Sequence, residues 1–158
     1  MTVGFLDRLD VIQIDWRKGR AVWELHTPLR YRTAVLPDVT IFTPLEFITD
    51  LATVPRLPLA FLLAGGRGNR AAVVHDFGYQ FGYVLSADNE RIVVDRPTMD
   101  RIFHEALLAD PMSGAGSVTA WQMWSAVRVG GRGIWGDRPE RTPELNPIWS
   151  TEWAFETP

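Results

Sequence analysis

Residues 11–26, VIQIDWRKGRAVWELH, carry two runs with a period of two. In the first, Val11, Gln13 and Asp15 alternate with Ile12, Ile14 and Trp16. In the second, Val22 and Glu24 alternate with Ala21, Trp23 and Leu25. Successive side chains of a strand point to opposite faces, so the alternation predicts two strands. Arg17-Lys18-Gly19-Arg20 between them reads as a turn, and Pro28 closes the second run. Leu29 to Val35 and Val39 to Phe42 read as shorter strands separated by Pro37-Asp38. Strands so closely spaced pair most economically as antiparallel hairpins.

Further along the chain the pattern turns helical. Leu57 to Ala64 reads as a short helix, followed by the loop Gly65-Gly66-Arg67-Gly68. Asn69 is the expected N-cap of a helix from about Arg70 to Tyr83. Val84 to Val94 reads as a small hairpin turning at Asp88-Asn89. Asp95 or Thr98 then caps a helix to Ala109, ended by Asp110-Pro111. A last helix runs from Ser117 to Val129 and stops at Gly130-Gly131. The expected fold is α+β: an N-terminal antiparallel β-sheet, about three main α-helices and an extended C-terminal tail. Residues 1–131 form one domain in this reading. The tail, residues 132–158, holds four prolines and three tryptophans. Aromatic area of that size is expected to pack on the domain or on a partner.

The composition sets limits. The chain has 158 residues, 46% of them apolar and 22% charged, a globular profile that suits one core. It has no cysteine, which excludes disulfides and thiolate metal sites. A formal net charge of -3 argues against generic nucleic-acid binding. No signal peptide is expected, because the first sixteen residues carry acids where a signal would be apolar. No apolar run is long enough for a transmembrane segment. Lys18 is the only lysine. The arginine bias reflects either genome composition or a use of forked carboxylate contacts.

Chemistry is expected at His75. At about 100° per residue, Ala71, His75, Gly78 and Gly82 share a narrow stripe of one helix, with Tyr79 beside it. Small residues let another backbone approach, so His75 is expected to be enclosed. Asp76 points along a different azimuth. On the next long helix Met99, Ile102, Phe103, Ala106 and Leu107 make the apolar face, and Asp100 sits at its margin. A partly desolvated carboxylate seeks a partner, and His75 is the natural one. Such a carboxylate would fix the imidazole tautomer and leave the other nitrogen to take a proton from water. Two blander readings compete: a His-Asp pair kept for fold specificity, and a surface pair of Asp100 with His104 at i, i+4. Thr49-Asp50-Leu51-Ala52-Thr53-Val54-Pro55-Arg56 reads as a stiff connector that displays Asp50 and Arg56 as binding groups or pairs them with each other. The glycine-rich loop lacks the Lys-Ser/Thr of a phosphate-binding loop, and a tight turn is the expected reading.

Three blocks together carry a resemblance: residues 47–56, FITDLATVPR; residues 71–79, AAVVHDFGY; and Asp100-Arg101-Ile102-Phe103 with Ala106-Leu107. In this order, over about residues 40–135, they resemble the domain of unknown function 1353 family of tailed bacteriophages and prophages. The resemblance implies a phage origin and points to Asp50, Arg56, His75, Asp76, Tyr79 and Asp100. A second similarity is mechanistic. His75-Asp76-x-x-Tyr79 with a later Asp is similar to the active-site pattern of secreted phospholipases A2, although this chain has no disulfides and its glycine-rich loop lies closer to the His. That similarity implies His75 as base, Asp76 as a ligand of calcium, and Asp100 as the residue that orients His75.

Two functions follow as expectations. One is a phage-encoded hydrolase with His75, Asp100 and Tyr79 as the catalytic set and Asp50 and Arg56 as binding groups. Its substrate would be envelope lipid or cell-wall material, and Ca2+ or another divalent cation would sit on Asp76 and Asp50. The other is a non-enzymatic virion protein of the tail or baseplate, or an assembly protein, with the His-Asp cluster as a structural lock and other virion proteins as partners. Either would act in the cytoplasm of the infected host or in the virion.

Overall fold

The computed structural model describes residues 2–17, 20–49, 51, 68–113, 115–130 and 135. The expected turn at Lys18-Gly19, the short helix over 57–64, Asp50, Arg56 and all of the tail but Trp135 lie outside the described residues. Eight strands and three helices are present among those described. The strands are β1 (Gly4–Phe5), β2 (Val11–Arg17), β3 (Arg20–Leu25), β4 (Leu29–Arg32), β5 (Thr40–Thr43), β6 (Ile48–Thr49), β7 (Tyr83–Ser86) and β8 (Arg91–Val93). The helices are α1 (Asn69–Phe81), α2 (Arg96–Ala109) and α3 (Ser117–Gly130). None of these helices is long and apolar enough to cross a membrane.

The architecture is α+β, with antiparallel strands as expected, but the strands divide between two sheets. The order β1-β4-β5-β7-β8 makes one and β2-β3-β6 the other. The division follows from β2 and β3. They pair from Val11↔Leu25 to Arg17↔Arg20, with a bulge between Gln13 and Asp15. Their remaining partner is the two-residue β6, through Trp23↔Thr49 and Glu24↔Ile48. The larger sheet takes in a hairpin from beyond α1, because β7 pairs with β5 at Ile41↔Ser86 and Phe42↔Leu85. The β7–β8 hairpin turns through Asn89 at φ 63, the left-handed conformation that asparagine tolerates.

α1 is the central element. Residues 71–79 are all buried, so α1 has no solvated face and packs against β4, β5, β6, β7 and α2. Both its ends differ from the sequence expectation by a residue or two. The N-cap is Gly68, left-handed at φ 73, and not Asn69, whose backbone is already helical. The helix ends at Phe81, because Gly82 takes φ 71 and its N–H bonds Gly78 O at 2.8 Å. Tyr83 therefore opens β7 and does not close the helix. α2 is capped by Asp95, which accepts the Thr98 N–H at 2.8 Å. It packs against α1 on one side and α3 on the other. Gly78 sets how closely α1 and α2 approach: a Cβ there would lie 2.2 Å from Met99 Sδ.

Polar side chains tie the layers together. Glu105 of α2 accepts from Tyr31 Oη at 2.9 Å, Thr33 Oγ1 at 2.6 Å and Ala34 N at 3.0 Å. Arg70 of α1 is bonded to the Asp110 carboxylate and to Asp7 O at 3.1 Å. Charge-assisted bonds of this kind fix helix position over a sheet better than apolar contact alone.

Candidate functional site

His75 of α1 and Asp100 of α2 meet between the two helices, and neither side chain is exposed to solvent. His75 lies on the α2-facing side of α1, where Gly78 admits Met99. Its ring packs against Tyr79 at 4.0 Å and Phe103 at 4.6 Å between centroids. Nε2 is 3.4 Å from Asp100 Oδ1. An ionised carboxylate only accepts, so Nε2 carries the hydrogen and Nδ1 is left with its lone pair. Nδ1 is buried and has no hydrogen-bond partner among the described residues.

Asp100 is held on both oxygens. Oδ1 also accepts from Tyr79 Oη at 2.5 Å, and Oδ2 faces Arg128 Nη1 at 3.5 Å. Burial pushes its pKa up, but the hydrogen bonds from His75 and Tyr79 and the charge of Arg96 outweigh it, and the carboxyl ends below its ordinary value. For His75 the balance goes the other way. Burial dominates over the pull of Asp100, and the imidazole is held below 6.5. Burial, followed by the hydrogen bond to Asp100, raises the Tyr79 phenol, which stays a donor. The cluster is thus a neutral imidazole, an anionic carboxylate and a protonated phenol. Among the described residues its one basic nitrogen has no hydrogen-bond partner.

Asp76 points away from His75, toward β6. It is 7% exposed, and its Oδ2 accepts from Thr49 Oγ1 at 2.5 Å. Thr49 also accepts the Leu51 N–H at 2.9 Å, so the start of the 49–56 connector is turned by its hydroxyl. Among the described residues no three His, Cys, Asp or Glu side chains are grouped as a metal site. The surface pairing of Asp100 with His104 is not what the structure shows. Asp100 turns inward, while the His104 ring packs on Trp124 at 5.7 Å.

A family model described as "Protein of unknown function (DUF1353)" matches residues 23–127, more than half of the chain. The chain belongs to the DUF1353 family. Neither the curated proteins nor the solved structures returned a match. The DUF1353 match begins in β3, earlier than the three sequence blocks, and it spans Thr49, His75, Asp76, Tyr79 and Asp100. Arg128 and Trp135 lie just beyond it.

Three members of the DUF1353 cluster escaped the sequence reading. Arg128, in the last turn of α3, reaches Asp100. Arg96, in the first turn of α2, donates Nη1 to Arg128 O at 3.1 Å and lies beside the Tyr79 hydroxyl. Trp135 stands edge-on to Tyr79, with centroids 4.9 Å apart and planes at 90°. The i, i+4 spacing of Arg96 and Asp100 on one helix was a signal for Arg96, only the general arginine bias hinted at Arg128, and nothing in the sequence tied Trp135 to Tyr79.

Proposed function

We propose that this DUF1353 chain is a hydrolase in which His75 activates water, with envelope lipid or cell-wall material as substrate and a phage or prophage as its source. The observation that carries the reading is the unpartnered Nδ1 of a buried His75 whose Nε2 is committed to Asp100. A ring nitrogen left unpaired in the interior costs about 1–3 kcal/mol. A purely structural histidine would gain by satisfying it. A general base needs that lone pair, and needs to be neutral at working pH.

In this reading the packing that encloses His75 opens to admit water, Nδ1 takes its proton as the oxygen attacks an acyl carbon, and the imidazolium returns that proton to the leaving oxygen as the ester bond breaks. Asp100 holds the tautomer and stabilises the imidazolium that forms. Tyr79 steadies Asp100 as a positioning residue, and Asp50 and Arg56 contact substrate. The 3.4 Å separation of Nε2 and Oδ1 is long for such a bond. Bonds of this kind tighten when substrate is bound and positive charge develops on the ring. Asp76 and Asp50 are the residues that would hold calcium, since a hard cation prefers carboxylate oxygen and Asp50 follows the Thr49 that touches Asp76. When bound, the ion would supply a Lewis acid on the β6 side of α1.

A second reading is favoured by a different observation. His75 and Asp100 are fully enclosed, while Ile12, Ile14 and Trp16 of β2 are 52%, 44% and 63% exposed. A sealed polar lock, together with an exposed apolar strand elsewhere on the surface, suits a virion or assembly protein whose partner covers that strand. One experiment separates the two. The purified protein is assayed for release of fatty acid from phospholipid vesicles and of fragments from peptidoglycan, beside His75→Asn and Asp100→Asn. The hydrolase reading expects turnover that falls about 10²–10⁴-fold in His75→Asn. Full activity in a folded His75→Asn protein, or no turnover on either substrate, overturns it.

A further inference from the structure

The charge balance around Asp100 goes beyond the dyad. Two guanidinium groups approach this one carboxylate from different helices: Arg128 Nη1 faces Oδ2 at 3.5 Å, and Arg96 acts on both Asp100 and Tyr79. Arg96 Nη1 also bonds the backbone carbonyl of Arg128 at 3.1 Å, which anchors its guanidinium at the C-terminal end of α3, the same turn that carries Arg128. No other carboxylate is ion-paired with either arginine among the described residues. The nearest in sequence, Asp95, spends its side chain on the Thr98 N–H. Asp100 can balance only one of the two arginines, and among the described residues no second carboxylate meets the other.

Donor counting agrees. Each guanidinium has five N–H groups. Arg128 places one of them at Asp100 and lays its guanidinium 5.7 Å from the Trp124 ring. Its side chain is 39% exposed, so it is not sealed in with the Asp100 carboxylate. The overall charge of the protein is negative, so the excess is local and not part of a basic surface. Planar guanidinium pairs with free donors match the oxygens of a phosphate in two-point contacts.

We infer that Arg96 and Arg128 form a seat for the phosphate group of a substrate or ligand, beside the Tyr79–Asp100–His75 cluster. The seat deepens the hydrolase reading and rests on it for its meaning as a substrate site. The anion would neutralise the unpaired charge and leave Asp100 to His75 and Tyr79. Phosphate could reach the seat on a lipid headgroup or on a soluble ester, and the two sources share this chemistry.

The test is binding to the full chain at low salt, by calorimetry with inorganic phosphate and with phenyl phosphate, and by co-sedimentation with phosphatidylglycerol vesicles. Wild type is compared with Arg96→Gln, Arg128→Gln, Arg128→Lys, His75→Asn and the surface control Arg101→Gln. We expect saturable binding of at least one probe, weakened tenfold or more in Arg96→Gln and Arg128→Gln. Arg128→Lys, which keeps the charge and guards against a folding defect, should recover part of it, and Arg101→Gln should bind like wild type. Vesicle binding lost in the same variants assigns the seat to a headgroup. Binding of the free phosphates alone assigns it to a soluble ester. No saturable binding of any probe, or wild-type affinity in a folded Arg96→Gln/Arg128→Gln protein, overturns the seat. His75→Asn that binds phosphate and still turns over substrate fails the dyad and leaves the seat standing.

Discussion

Replacing Gly78 with alanine should destabilise the protein, the reverse of what that change does in most helices. Alanine gains about 1 kcal/mol over glycine in a helix interior. Here the new Cβ would lie 2.2 Å from Met99 Sδ, 2.9 Å from Cγ and 3.2 Å from Cε. Met99 is fully buried and cannot swing into solvent. Overpacking of this kind costs about 1–3 kcal/mol, and all three distances are shorter than van der Waals contact, although the flexible thioether of Met99 takes up part of the overlap. The net loss is about 1 kcal/mol, or roughly 2–4 °C in Tm for a chain of this size. Urea denaturation of wild type, Gly78→Ala, Met99→Ala and the double variant measures it. Met99→Ala alone should cost about 2–5 kcal/mol. In that background Gly78→Ala should become neutral or stabilising, because the clash is gone and the helix gain remains. A Gly78→Ala protein more stable than wild type with Met99 in place would refute the close α1–α2 approach on which the His75–Asp100 contact depends.

Other outcomes follow from individual groups. His75 is held below 6.5 when folded, so the unfolded chain takes up a proton first as pH falls. Stability should be full above about pH 6.5 and decline below it, with a slope approaching about 1.4 kcal/mol per pH unit from this one group. His75→Asn should flatten the limb between pH 7 and 5, and parallel profiles for the two proteins would count against the buried neutral imidazole. Asp110→Ala removes the carboxylate that holds Arg70 and accepts the Met112 N–H at 2.8 Å. Loss of one partner of a buried pair costs about 3–5 kcal/mol, so a denaturation midpoint close to wild type would contradict that role. If Asp76 and Asp50 hold calcium, millimolar calcium should raise Tm and a chelator reverse it. No response in either direction would remove the metal from the proposal.

Local pattern made much of this fold legible. The period of two in residues 11–25 marks β2 and β3, and the Pro37-Asp38 break separates β4 from β5. The three helices lie within a residue or two of their expected ends, because Asp95, Gly82 and Pro111 act over one turn of chain. What stayed hidden depends on distant partners. Nothing near Tyr83–Ser86 says that it pairs with β5 across the whole of α1, and the two-residue strands β1 and β6 are too short to show a period. Within the site, the small-residue stripe at His75 and the marginal place of Asp100 pointed to their meeting. Their spacing on two adjacent helices suffices for that. Arg96 was legible in principle, four residues before Asp100 on the same helix, but Arg128 was not, since its side chain meets Asp100 only once α2 and α3 are packed. The Thr49–Asp76 bond is of the same kind, a hydroxyl and a carboxylate 27 residues apart.

The central claim is that His75 is a neutral base with its hydrogen on Nε2 and its lone pair on Nδ1. Nitrogen NMR of the ring, on protein labelled at histidine and assigned with His75→Asn, tests it directly. The account predicts a protonated Nε2 and an unprotonated Nδ1 at pH 7, persisting below pH 6.5, and release of Nε2 from its carboxylate partner in Asp100→Asn. A hydrogen on Nδ1, or a doubly protonated ring at pH 7, would contradict it.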